Sequence, residues 1–197
     1  MKLDKKYTQI QLAKRKDKPI IKDIILKSFT HDSGFNWMLE ATNNPKKLSV
    51  LIDYLIDEIF NKGFIYINND HSGVSLWATQ QKENFSFNLI KRTCMLVLNL
   101  KLSTSLRLLK FQTLTHKQFP KNSDYFYLIN LAVLPKQRKK GYASELIQPI
   151  LDFSQTHNTS VFLETSNQQN VKFYQNKGFS LTKTLHLGSA TFYFMKT

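Results

Sequence analysis

The sequence predicts an α/β fold as a single domain over residues 1–197, with a mixed sheet carrying helices on both faces. Three observations predict it. Helical stripes alternate with short β-type runs along the chain. The run from Tyr125 to Leu134 is almost continuously apolar, has strand length and stops at Pro135. No stretch rich in Gly, Pro or Ser divides the chain, and no internal repeat is present. A continuously apolar strand is covered on both faces, which places helices on each side of the sheet. At 197 residues, folding buries roughly 70% of the surface that the unfolded chain exposes, enough for a core without staples.

Taken in order, Tyr7, Ile10 and Leu12 suit a short strand, and a basic run from Lys14 to Lys18 follows. Pro19 stands at a first-turn position, and Ile20, Ile21, Ile24, Ile25 and Phe29 recur at helical spacing. A second helix is expected from about Pro45 to Asn61, with Leu48, Leu51, Ile52, Leu55, Ile56, Ile59 and Phe60 as its buried stripe and Lys62-Gly63 as its stop. Two strands, about 64–67 and 73–79, flank the turn-forming run from Asn68 to Ser72 as a hairpin. Residues 82–122 hold one Pro and no Gly, which predicts an insertion of one or two amphipathic helices that bury their leucines and Phe111. After the apolar strand come a basic loop, Lys136 to Lys140, and a helix opening at Gly141 with Pro149 bending it. A strand from Val161 to Thr165, a helix from about Asn170 to Asn176 closed by Lys177-Gly178, and a final hairpin turning at Gly188-Ser189 complete the order.

Composition narrows the function. Hydrophobic residues at 42% with charged residues at 21% exclude an intrinsically disordered chain, and Gly 6 with Pro 5 excludes a collagen-like one. The single cysteine, Cys94, cannot form an internal disulfide and reads as a small buried hydrophobe, so a reducing, cytoplasmic location is expected. The N-terminal ten residues lack the apolar segment of a secretory signal. The longest uncharged apolar stretch, Thr93 to Leu100, is too short to span a bilayer, so no stable membrane insertion is expected. His31, His71, His116, His157 and His186 are scattered singly, so no metal is expected. Lys+Arg 28 against Asp+Glu 14 leaves +14, a balance that suits a phosphorylated cofactor, a nucleic acid or an acidic membrane as well as a merely solvated basic surface.

The chemistry is concentrated where the apolar strand passes through Arg138-Lys139-Lys140-Gly141-Tyr142-Ala143 into a helix. A helix N-terminus presents unpaired backbone N–H groups and a positive dipole end, both suited to phosphate. Gly141 permits close backbone approach, Ala143 keeps the first turn small, and three cationic side chains surround the spot. This is neither a Walker A loop nor a dinucleotide fingerprint, because the Gly, Lys and Ser/Thr order is wrong and the loop has a lone glycine.

Arg138-x-x-Gly141-x-Ala143 resembles the Arg/Gln-x-x-Gly-x-Gly/Ala signature of the GNAT acetyltransferases. A second signature of that superfamily is matched by Asn167, Asn170, Phe173-Tyr174 and Gly178-Phe179. Leu163-Glu164-Thr165-Ser166 ahead of it, with Pro149 in the preceding helix, is most similar to the branch that contains puromycin N-acetyltransferase. The resemblance covers roughly residues 125 to 180 and implies a GNAT-like mixed central sheet, with the helical insertion placed before the central CoA-binding strand.

It also implies transfer of an acetyl group from acetyl-CoA, as co-substrate, to a primary amine, with a small molecule favoured as acceptor and a protein amine left open. The pantetheine arm would lie along Leu131, Ala132 and Val133, and the pyrophosphate on the amides from Arg138 to Ser144, including Lys139, Lys140, Gly141, Tyr142 and Ala143. Asn167, Asn170 and Phe173 would hold the pantetheine end. Such a reaction takes one proton from the attacking ammonium and returns one to the leaving thiolate. Tyr174 is the candidate acid and Glu164 the candidate base; Asp32, Glu40 and His116 are weaker carboxylate and imidazole candidates. The apolar group Phe35, Trp37 and Met38, two of them aromatic, sits where the acceptor site of that branch is built.

Two other readings stay open. A basic nucleic-acid-binding module would grip phosphates with residues 138–140 and stack bases on Tyr125, Phe126 and Tyr127. A GNAT-like fold that binds CoA without turnover is the other. The insertion's apolar stripe is expected to be buried on the sheet or in a homodimer rather than on a membrane.

Overall fold

The computed structural model describes residues 4, 6–30, 32–39, 45–79, 102–120 and 123–197. Its strands are β1 (Ile10–Leu12), β2 (Gly63–Asn68), β3 (Gly73–Thr79), β4 (Tyr125–Val133), β5 (Ser160–Thr165), β6 (Ser180–Leu187) and β7 (Ala190–Lys196). They form one sheet in the order β1-β2-β3-β4-β5-β7-β6. Only β4 and β5 run parallel, joined by a helical crossover; every other neighbouring pair is antiparallel. The expected mixed sheet with helices on both faces is therefore present.

One face is covered by α1 (Lys18–Phe29) and α3 (Pro45–Lys62). Ile21, Ile24 and Ile25 of α1 and Ile52, Ile56 and Ile59 of α3 pack on Ile65, Ile67, Val74 and Leu76 of the β2–β3 hairpin. Fully burying one such side chain is worth about 1.5–3 kcal/mol, so this layer fixes the helices firmly on the sheet. The opposite face is covered by α5 (Tyr142–His157) and α6 (Gln168–Gln175). Leu146, Ile147 and Ile150 of α5 meet Trp77, Leu128, Val161 and Leu163, and Tyr174 of α6 joins the same cluster. Pro149 lies inside α5 without ending it.

Two departures from expectation concern residues 33–38 and the insertion. Residues Ser33–Met38 form a short helix, α2, whose N-cap Asp32 accepts a hydrogen bond from Phe35 N at 2.9 Å. Helical periodicity is too brief in six residues to announce it. Of the insertion, the described part is a single helix, α4 (Leu102–His116). The expectation that its leucines are buried is overturned for Leu102, Leu106 and Leu109, which are 64%, 57% and 48% exposed, while Thr104, Ser105 and Thr115 are buried. The reason is how the helix docks. Arg107 Nη1 donates to Trp37 O at 2.9 Å, and the Phe111 ring lies 4.6 Å from that of Phe192, so α4 seats on α2 and β7 by that side. The rest of the insertion through residue 101, with Cys94, lies outside the described residues, as do Glu40 and His31.

Candidate active site

The β4–α5 junction has the geometry of an anion cradle. Pro135–Gln137 form one 3-10 turn after β4, Lys139 takes φ 64°, and Gly141 takes φ 94° as the N-cap of α5. A Cβ at Gly141 would meet nothing within 4 Å, so glycine is required there by conformation and not by space. The amides of Gly141, Tyr142 and Ala143 donate to no acceptor among the described residues. Ser144 N and Arg138 N, by contrast, are already paired with Gly141 O and Pro135 O. Lys139 N and Lys140 N, like those three, have no acceptor among the described residues, so the unpaired amides run from Lys139 to Ala143.

The side chains sort in the same way. Arg138 turns back from the loop: its Nε donates to Val133 O at 3.3 Å and its Nη2 to Ser28 O at 3.0 Å, tying the loop to β4 and to the end of α1. Lys140 Nζ donates to Gln137 Oε1 at 2.7 Å, and Tyr142 OH donates to Asp70 Oδ2 at 2.7 Å, anchoring the loop to the β2–β3 turn. Lys139 is exposed on the loop's crest.

Beside the cradle the sheet opens. The parallel pairing of β4 with β5 runs from Tyr125↔Ser160 to Leu128↔Leu163 and stops there. Leu76 pairs with Asn130 but its neighbour Trp77 pairs with Leu128, so Ile129 is an extra residue in β4 and bends the strand at the point where the pairing ends. Residues 129–133 of β4 therefore have no strand partner on the β5 side, whereas β5 continues to Glu164 and Thr165, paired with Phe194 and Tyr193 of β7. Such an open edge can hydrogen-bond an extended chain.

Glu164 stands at the mouth of this gap. Tyr127 OH donates to it at 2.5 Å from Oε1 and 2.6 Å from Oε2. Burial pushes the Glu164 carboxyl up to about 7, against the opposing effect of the Tyr127 hydrogen bond. The Tyr127 hydroxyl is raised well above its ordinary value by burial and then by the Glu164 charge, so the shared proton belongs to the phenol. Tyr174 is buried, packs edge-on against Phe173 and Phe179, and has no hydrogen bond from its hydroxyl among the described residues. Burial, then the Glu164 charge, raises its pKa, which keeps it a proton donor.

The remaining wall comes from α2 and the β5–α6 loop. Asp32 Oδ2 accepts from Ser166 Oγ at 2.9 Å, and Ser33 Oγ donates to Ser166 O at 3.2 Å. Asn167 caps α6, accepting from Gln169 N at 2.9 Å, and Asn170 Nδ2 donates to Thr165 Oγ1 at 3.3 Å.

Known proteins resemble the chain in sequence and in fold. A profile described as the Acetyltransferase (GNAT) family matches residues 110–179, the stretch that holds the cradle, the gap and Tyr174. A crystal structure titled histone acetyltransferase HPA2 and related acetyltransferase, from Corynebacterium glutamicum, superposes with TM-score 0.68 at 18% identity over 95% of this chain and 94% of that one. The chain has the GNAT fold. Arylalkylamine N-acetyltransferase 2 from Aedes aegypti shares it, with TM-score 0.67 at 15% identity over 96% of this chain and 97% of that chain. In sequence, an uncharacterized N-acetyltransferase of Schizosaccharomyces pombe is 24% identical over 174 residues, covering 83% of this chain and 70% of that protein. The profile match spans residues 110–179, and the structural neighbours share the fold of the chain.

Within the GNAT fold, Leu131, Ala132 and Val133 lie on the open edge, Gly141 to Ala143 on the cradle, and Glu164 and Tyr174 are close enough for the carboxylate's charge to act on the phenol. Asp32 is tied to Ser166 as a helix cap, and His116 is exposed on α4. The sequence reading missed Tyr127 as a partner of Glu164. The signal was available in part: β4 and β5 each alternate faces, and parallel pairing sets Tyr127 beside Phe162, two residues before Glu164. The register itself was not legible. Among the described residues no cluster of three or more His, Cys, Asp or Glu could hold a metal, and no helix is long and apolar enough to cross a membrane.

Proposed function

We propose that this protein transfers the acetyl group of acetyl-CoA to the primary amine of a small molecule. The observation that carries the reading is the conjunction of three unpaired amides at the N-terminus of α5, an unpartnered β4 edge beside them, and a carboxylate and a phenol across that edge. The pyrophosphate would be held by the amides of Gly141, Tyr142 and Ala143 with Lys139 nearby. The backbone of Leu131 to Val133 would pair with the pantetheine arm, with Asn167, Asn170 and Phe173 at its far end. Acetyl-CoA supplies an activated thioester.

Glu164, poised near neutral pH, accepts the proton that the ammonium must lose before it attacks. Tyr174 gives its proton to the departing thiolate sulfur. The net result is an amide, a free thiol and one proton released to solvent. The nucleic-acid reading loses its stacking platform, because Tyr125 and Tyr127 are packed against Phe119 and Phe126 is buried.

Small-molecule amines are favoured over protein amines by the resemblance of residues 163–179 to the puromycin N-acetyltransferase branch. The Aedes aegypti neighbour named for arylalkylamines points the same way. A thiol-release assay across arylalkylamines, aliphatic amines, aminonucleosides and a lysine peptide tests this. Turnover with a small amine, lost in Glu164→Gln with acetyl-CoA binding retained, is the expected result. Failure to bind acetyl-CoA in calorimetry overturns the proposal, and turnover confined to the peptide overturns its acceptor class.

A further inference from the structure

Tyr127 has a geometry that simple packing does not require. It occupies the last fully paired stretch of β4, next to Phe162 of β5, and its hydroxyl reaches two residues further along β5 to contact both oxygens of Glu164. The ring is wedged. Phe119, which follows α4, lies 4.8 Å from the Tyr127 ring and 5.4 Å from that of Phe162, so the inserted segment closes over the phenol. One phenol proton shared between both oxygens is a bifurcated contact that restrains where the end of the carboxylate sits, and the lone pairs facing away from the phenol stay free to accept a proton.

We propose that Tyr127 is a positioning residue for Glu164, clasping both carboxylate oxygens so that the base is held at the β4–β5 gap and gives up its proton more readily than its burial alone would allow. This rests on Glu164 being the base. The physical need is clear from burial: a buried carboxylate with no donor prefers its neutral form, which cannot accept a proton from the amine. The phenol restores the anion by solvating it with a hydrogen bond that water no longer supplies.

The other titratable groups on the surrounding elements do not take over this role. Tyr125 on β4 acts on Tyr127, Lys196 on β7 lies over the Phe162 ring at 5.4 Å, Tyr174 faces from α6, His116 stands edge-on to Phe119, Arg107 is bound to Trp37 O, and Asp32 is bound to Ser166. Among the described residues, Tyr127 provides the side-chain hydrogen bond on the Glu164 carboxylate.

Tyr127→Phe removes the hydroxyl and little else. The titration midpoint of the Glu164 carboxyl, followed by carbon-13 NMR against Glu164→Gln for assignment, should rise by about 1–2 pH units, as expected for losing a hydrogen bond to a charged group. The acid limb of kcat/KM should rise by the same amount. Activity then falls about tenfold or more below the new midpoint, recovers toward the plateau at high pH, and leaves the acetyl-CoA Kd unchanged. Glu164→Gln, in contrast, should be low at every pH. If the carboxyl midpoint does not move while Glu164→Gln abolishes turnover, Tyr127 does not position the base and this proposal alone fails. If the midpoint rises but the acid limb stays in place, Glu164 is not the base, and the catalytic reading and the positioning role fall together.

Discussion

The cradle is tested most directly by a pair of glycines that differ only in where they stand. Gly141 at φ 94° and Gly178 at φ 88° both need a conformation that L side chains rarely adopt, and a Cβ at either would meet nothing within 4 Å. Substitution by alanine therefore adds backbone strain without a clash, worth about 1–2 kcal/mol in each case. At Gly178, which follows α6, the whole cost should appear as stability, a loss of roughly 2–8 °C in Tm for a chain of this size. At Gly141 the strain has a second outlet. The peptide can rotate out of the strained region, turning the unpaired amides away from the phosphate position, and ligand binding must then restore them. The same 1–2 kcal/mol should thus divide between a smaller Tm loss and a weaker acetyl-CoA Kd, by up to about 5–30-fold. Calorimetric titration with acetyl-CoA and thermal melts of both variants give the two quantities. If Gly178→Ala weakens binding as much as Gly141→Ala, or if Gly141→Ala changes neither Tm nor Kd, the cradle argument is wrong.

Three further outcomes follow from the site. Glu164 titrates at about 7 in the fold, above its ordinary value of 4.5, so the native state holds the extra proton and wild-type stability falls as pH rises between those values. Glu164→Gln does not titrate, so its Tm should exceed that of wild type at pH 8 and the gap should close toward pH 5, even as kcat drops by about 10²–10⁴. Tyr174→Phe removes a hydroxyl with no hydrogen-bond partner among the described residues. It should lower kcat while leaving the acetyl-CoA Kd and, within about 0.5 kcal/mol, the stability unchanged, and an unaltered kcat removes it from the proton-transfer role. Asp32→Ala breaks the α2 cap and the bond to Ser166 together, and should cost about 1–2 kcal/mol in melts while raising KM for the amine more than for acetyl-CoA.

Much of this protein is determined locally and was legible in the sequence. Ile21, Ile24 and Ile25 of α1 and Ile52, Ile56 and Ile59 of α3 are buried as their spacing requires, because helical periodicity alone decides which side chains share a face. The apolar run from Tyr125 marks the central strand, and Gly141 marks the start of α5, because a glycine accepts its left-handed backbone without strain. What tertiary structure decided is everything that depends on which segments meet. The exposed leucines of α4 and the buried Thr104 and Thr115 reverse the amphipathic expectation, because contact with Trp37 and Phe192, far away in sequence, determines which side faces inward. The bulge at Ile129, the end of the β4–β5 pairing, and the clasp of Tyr127 on Glu164 arise from strand register, a relation between two chains of hydrogen bonds that neither strand encodes by itself.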